Sequence, residues 1–332
     1  RLAPRPRVAA PPPPPLWRVF QPLAGSYGRL DLEANWRALL VDMLALTQVP
    51  ESHLKWKHAL TAEEVVARLR TTSVTGIAGA LYESYAAREG ASVWVAKENN
   101  LFDHALRIVG VYPEARFVYL VRDGRDVACS IRKIPTHDQH PYFIALEWQR
   151  EQQQAIEVYQ ELLPSGRCRL LRYEELIEAP EQHLRALCDW IGMPFEERML
   201  AFHEDPESRS DAKKTEFWRN LDQPVMSANR AKFLEELSPA DVATFESVAG
   251  AELALLGYPL HAPGAKPVGA LERFVFGVQN RRAKRAKFKR LMQEPGRAER
   301  AETMRAIQRA RRERPPPLAP EISYGAPRAG LH

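Results

Sequence analysis

The chain has 332 residues, enough for one large α/β domain or two small ones. Its apolar content is that of an ordinary globular protein, and no run approaches the length of a membrane span. The formal charge of +5 is uneven: residues 281–314 hold 14 Lys/Arg against 4 Asp/Glu, so the remainder carries a net −5. Cys129, Cys168 and Cys188 show neither paired nor metal-ligand spacing, which favours a reducing, cytoplasmic compartment and argues against a zinc site. No signal peptide is visible, and the chain opens on Arg1 instead of a methionine.

Residues 1–15 are Pro/Ala/Arg-rich and end in five prolines, which predicts an extended, disordered arm. Leu32, Trp36, Leu39, Leu40, Met43 and Leu44 fall at helical spacing over 31–47. Thr61 followed by Glu64 is a capping box for a helix over 61–70. Ile77, Leu81 and Tyr85 predict another over 74–89, ended by Gly90. Val93 to Lys97 is a short strand pattern, followed by a helix over 101–111 that Pro113 stops.

Arg116 to Ser130 holds the densest chemistry. Phe117 to Val121 is an apolar run of the kind found in strands buried on both faces. Arg122 stands where the strand stops, and Asp123-Gly124 opens a helix with Asp123 as N-cap. Residues 123, 126 and 130 share one helix face, and side chains lean toward the helix start, so the Ser130 hydroxyl is aimed back at Arg122. An arginine, a helix start and a hydroxyl together suit an anion such as phosphate. The same joint also fits a plain surface Arg–Asp pair.

Further helices are expected over 142–163, 180–191 and 239–256, with a strand at 168–171. Residues 204–230 lack periodicity and predict a long loop. From 260 the composition turns to Pro, Gly and Ala; a basic helical stretch over 271–314 and a Pro/Gly-rich end over 315–332 follow. The alternation of strand and helix predicts a parallel sheet with its binding edge at the strands' C-terminal ends, where Lys97 and Arg122 would lie.

Arg122-Asp-Gly-Arg-Asp-Val-Ala-Cys-Ser130 resembles the 3′-phosphate motif of sulfotransferases that use 3′-phosphoadenosine 5′-phosphosulfate (PAPS). Trp94…Lys97, Tyr112 to Phe117, Arg172-Tyr-Glu-Glu-Leu176 and Leu255 to Tyr258 follow in an order similar to bacterial members and to the protein-tyrosine sulfotransferase branch. The resemblance covers about 16–262 and implies a P-loop-like parallel sheet flanked by helices, with a basic helical extension over 263–314. It implies transfer of a sulfonate from PAPS, without a metal, to an acceptor hydroxyl or amine on a glycan, lipid, peptide tyrosine or small molecule.

By the same resemblance, Arg122 and Ser130 hold the 3′-phosphate, with Arg132 or Lys133 as an added cation and Tyr173 beside the nucleotide. Lys232, and less directly Arg230, belong to a loop that closes over the donor. Lys97 is the cation at the reacting centre, and Glu98 is the nearest carboxylate able to serve as general base. The family's first motif, a strand and a Gly/Ser/Thr-rich loop whose N–H groups cradle the 5′-phosphosulfate, has no match within residues 1–90. Gly25-Ser-Tyr-Gly28 is the nearest candidate, so the strand and loop are expected to be missing, as in an N-terminally truncated chain.

A degenerate, non-catalytic nucleotide binder is the alternative. A related P-loop kinase would need a Gly-Lys-Ser/Thr loop and an acidic magnesium site, which the sequence lacks. The basic run Arg281 to Arg290 could meet an anionic partner, and Phe274, Val278, Phe288 and Leu291 form a weak stripe for docking.

Overall fold

In the computed structural model, which describes residues 7–50, 54–134, 137–213, 218, 220–291 and 297–313, the strands form two parallel pairs. β1 (Val8–Ala9) lies beside β2 (Val93–Trp94). β3 (Phe117–Val121) lies beside β4 (Cys168–Arg172), running from Phe117 opposite Cys168 to Val121 opposite Arg172. Helices α1 (Leu16–Phe20), α2 (Glu33–Thr47), α3 (Ala62–Val66) and α4 (Val74–Arg88) lie between β1 and β2 in sequence. α5 (Ala105–Val111) joins β2 to β3, and α6 (Gly124–Ile131) with α7 (Pro141–Leu162) joins β3 to β4. After β4 come α8 (Tyr173–Glu178), α9 (Pro180–Ile191), α10 (Pro206–Ala212), α11 (Phe233–Glu236), α12 (Pro239–Leu255), α13 (Ala270–Leu291) and α14 (Arg297–Glu313). The class is α/β, with helical crossovers between parallel strands, as the sequence order implies.

One core gathers α1, α2 and α4, where Trp17, Tyr82 and Trp94 stack in series and Leu39, Met43 and Ile77 are fully buried. α14 closes part of it with Ile307. A second core, under the β3–α6 joint, joins Val121 and Ala128 to Trp148 of α7 and Phe245 of α12. Thr61 and Glu64 make the full capping box, although the helix ends at Val66.

The structure corrects several expectations. Residues 7–15 are not a loose arm. Val93 of β2 and Val95 just beyond it donate to the carbonyls of Arg7 and Ala9, and Trp56 Nε1 donates to Pro12 O at 2.8 Å. Proline lacks a donor but keeps its acceptor, so this stretch can be held by its carbonyls. A short strand, β1, is thus present within this stretch. Residues 1–6 and 314–332 lie outside the described residues.

β3 is not buried on both faces: Val118 and Leu120 are 43% and 53% exposed. Phe117, Tyr119 and Val121 face the cores, while on the opposite face Arg116 and Arg169 donate to the carbonyls of Trp190 and Ala186 in the helix over Pro180–Ile191, leaving Val118 and Leu120 exposed. Part of the expected 204–230 loop is helical, because Asp205 caps α10 by accepting from Ser208 N.

Candidate anion-binding site

The site is built on the β3–α6 joint. The Asp123 carboxylate accepts from Arg125 N at 2.9 Å and caps α6. A Cβ at Gly124 would lie 2.7 Å from the rings of Phe245 and Trp148, so only glycine lets the helix start press onto α7 and α12. Arg125 then turns inward and is fully buried. It pairs with Asp123 at 2.7 Å and Glu246 at 2.5 Å, and lies 4.0 Å over the Phe233 ring. Sequence reasoning passed over this scaffold role. The available signal was Glu246, a carboxylate sharing its helix stripe with Val242, Phe245, Ala249 and Leu253, which requires a buried cation.

With Arg125 committed to the core, Arg122 faces the site. Its Nη1 is 3.5 Å from Ser130 Oγ. Its Nη2 donates to Asn229 O at 3.0 Å and to Asn229 Oδ1 at 3.3 Å. The guanidinium lies 4.7 Å over the Tyr173 ring, and Asn229 Nδ2 donates to the Tyr173 hydroxyl at 2.7 Å. The side chain is only 17% exposed, yet its Nε has no hydrogen-bond partner among the described residues. A largely desolvated guanidinium with an unsatisfied donor fits an incoming oxyanion.

Asp126 pins the neighbouring loop. Its buried Oδ1 accepts from Phe233 N at 3.0 Å, and its Oδ2 stands 3.7 Å from Arg122. Burial pushes the Asp126 carboxyl above its ordinary range. The loop carries Asn229, which no sequence pattern marks as functional, and Ala231, whose φ of +55° is a strained left-handed conformation for a residue with a Cβ. Tyr173 opens α8 directly after β4, and next to it Glu174 accepts from Asp123 N at 3.0 Å and Tyr258 OH at 2.9 Å. The Arg172-Tyr-Glu and Gly-Tyr258 segments thus brace the same joint.

The other predicted residues are dispersed. Lys133 pairs with Glu236 at 2.9 Å, Arg230 with Glu178 at 2.6 Å, and Arg132 with Asp241 at 3.8 Å. Lys232 is half-buried before α11 and makes no ion pair among the described residues.

Lys97 and Glu98 belong to the other strand pair, just beyond β2. Packing around exposed Lys97 lowers its ammonium pKa through desolvation. The Glu98 carboxylate accepts from Arg18 N at 2.8 Å and Trp17 N at 3.3 Å, at the start of α1. Burial pushes its pKa up to about 7. The β1–α1 connection is thus a strand, a loop and a helix start. Its loop is Pro11 to Pro15, which have no N–H to donate, and the first helix N–H groups are taken by Glu98. Gly25 and Ser26, the sequence candidates for a phosphate cradle, sit instead in a 3₁₀ turn before α2.

Residues 4–197 match the model of the sulfotransferase family. The chain belongs to that family. It is 26% identical over 166 residues to the protein-tyrosine sulfotransferase of Drosophila melanogaster, covering 47% of this chain and 32% of the relative. It is 30% identical over 162 residues to protein-tyrosine sulfotransferase 1 of Danio rerio, covering 46% and 44%. The chain therefore spans less than half the length of either relative. Among solved structures, the sulfotransferase domain from the curacin biosynthetic pathway superposes with a TM-score of 0.46 at 17% identity, over 74% of this chain and 79% of that one.

Proposed function

We propose that this sulfotransferase-family chain binds the 3′-phosphate of PAPS between Arg122 and Ser130 and acts in transfer of its sulfonate to an acceptor hydroxyl or amine. The observation that carries this reading is the convergence of Arg122, Ser130, Tyr173 and Asn229 at the end of β3, around a guanidinium with a free Nε. In such a transfer the acceptor oxygen or nitrogen attacks sulfur. The sulfur–oxygen bond to the 5′-phosphate breaks, and 3′,5′-bisphosphoadenosine leaves with the electron pair. The acceptor proton passes to a base. Lys97, just beyond β2 and without an ion-pair partner among the described residues, is suited to balance charge on the transferring oxygens. Glu98 has a pKa of about 7, suited to a base, but one lone pair on each oxygen is already engaged by α1. The three free cysteines, all buried, support a reducing cytoplasmic location.

A second reading, nucleotide binding without transfer, is favoured by the proline-lined β1–α1 joint, which offers no N–H cradle for the 5′ end. One assay separates the two. The chain is incubated with PAPS labelled in its sulfonate and with tyrosine peptides, glycans and small hydroxylated acceptors. Labelled product that Arg122→Ala abolishes supports transfer. Tight binding of bisphosphoadenosine without product from any acceptor supports the binding reading. Absence of both contradicts the proposal.

A further inference from the structure

The basic C-terminal region does not dock as its sequence stripe predicts. α13 is held by its polar face. Asn280 Oδ1 accepts from Gln139 N at 2.7 Å and His140 N at 3.1 Å, while its Nδ2 donates to Asp138 at 2.8 Å. Lys284 pairs with Asp138 at 2.9 Å, and Lys287 donates to Gln139 Oε1 at 2.6 Å and to Arg132 O. Phe276 stacks on His140 with ring centroids 4.0 Å apart. At about 3.6 residues per turn, residues 276, 280, 284 and 287 share one face. Phe274 of the predicted stripe points away from it; the side chains of Phe288 and Leu291 lie outside the described residues.

The opposite face has two parts along its length. Its N-terminal half presents Leu271, Phe274 and Val275, which are 77%, 66% and 42% exposed, with half-buried Val278 behind them. Its C-terminal half presents Arg281, Arg282 and Arg285, all exposed and without an ion-pair partner among the described residues. We propose that this outward face of α13 docks on an anionic lipid surface, with Leu271, Phe274 and Val275 entering the interface and the three arginines meeting lipid phosphates.

The combination selects the occupant. A nucleic acid or an acidic peptide would answer the arginines but leave Leu271 and Phe274 in water. An apolar protein groove would strip solvent from three guanidiniums. A second copy of the chain would set arginine against arginine if its helix ran parallel, or guanidiniums against leucine and phenylalanine if it ran antiparallel. A lipid interface takes both halves at once: apolar side chains pass the headgroups, and guanidiniums stay at phosphate level. Each signal alone gives weak attachment, and pairing an apolar anchor with a basic patch is what makes peripheral binding firm. Among the described residues no helix is long and apolar enough to cross a membrane. This inference does not depend on the nucleotide reading.

The test is co-sedimentation of the full chain with vesicles of phosphatidylcholine alone or mixed with phosphatidylserine. The expected result is binding to the mixed vesicles and little to the neutral ones. Arg281→Glu/Arg282→Glu/Arg285→Glu is expected to weaken it at least about a hundredfold, since each arginine near the surface supplies about fivefold. Leu271→Ser/Phe274→Ser is expected to weaken it about tenfold or more. Both variants alter only the solvent face, and unchanged thermal melting checks their fold. No binding to mixed vesicles, equal binding to neutral ones, or binding that the apolar variant leaves intact while duplex DNA competes for it would each overturn the proposal.

Discussion

Two strand-to-helix joints in this chain share a topology and differ in what fills them. At β3–α6, the carboxylates near the joint serve the scaffold: Asp123 and Glu246 hold Arg125, and Asp126 holds the 229–233 loop. Arg122 lies beside Ser130 and Tyr173 with its Nε unsatisfied among the described residues. At β1–α1, five prolines replace the donors, and Glu98 sits where an external anion would otherwise meet the helix start. The same connection can therefore recruit an anion or supply its own. What decides is whether the loop carries N–H groups and whether a carboxylate from the next strand reaches the helix.

The largest effect expected concerns the foundation of the first joint. Arg125→Met leaves Asp123 and Glu246 as buried, unpaired carboxylates and is expected to cost about 3–5 kcal/mol in chemical denaturation. A loss below 1 kcal/mol would mean the pair is solvated. Gly124→Ala is expected to cost about 1–3 kcal/mol, because the new methyl meets the rings of Phe245 and Trp148. It should also weaken nucleotide binding by shifting Arg122 against Ser130, and unchanged affinity would separate the joint's packing from the site.

The second joint has a pH signature. Burial holds the Glu98 carboxyl near 7, above its ordinary value, so folding favours the protonated form. The stability this gives is complete below about pH 4 and fades as the pH rises through the folded value. Glu98→Gln is expected to flatten that slope, by about 1–2 kcal/mol after allowance for partial exposure. Denaturation curves from acid to neutral pH with the same slope in both proteins would contradict the burial of this carboxyl against α1. The smallest effect belongs to Lys133, whose exposed pair with Glu236 is worth about 0.5 kcal/mol or less. Lys133→Ala should leave nucleotide affinity unchanged; a clear loss would place Lys133 on the phosphate after all.

Much of the first joint was legible in sequence. An apolar run, a break at Asp-Gly and an eight-residue spacing from Arg122 to Ser130 suffice, because strand exit and helix geometry fix where those side chains go. What separates Arg122 from Arg125 was not legible locally, since the partner Glu246 is 121 residues away. Asn229 lies in a segment without periodicity, and only tertiary contact brings it to Arg122. β1 escaped notice because two residues beside a proline run carry no strand pattern; pairing with Val93–Trp94 makes them a strand. The face chosen by α13 was likewise decided by Asp138 and Gln139, so polar contacts prevailed over the apolar stripe.

The central claim is that Arg122 grips a 3′-phosphate. It is tested most directly by calorimetric titration of 3′,5′-bisphosphoadenosine and adenosine 5′-monophosphate into the chain and into Arg122→Ala. The account predicts that the substitution weakens the bisphosphate about thirtyfold, or about 2 kcal/mol, and barely changes the monophosphate. Equal bisphosphate affinity in the two proteins would contradict it.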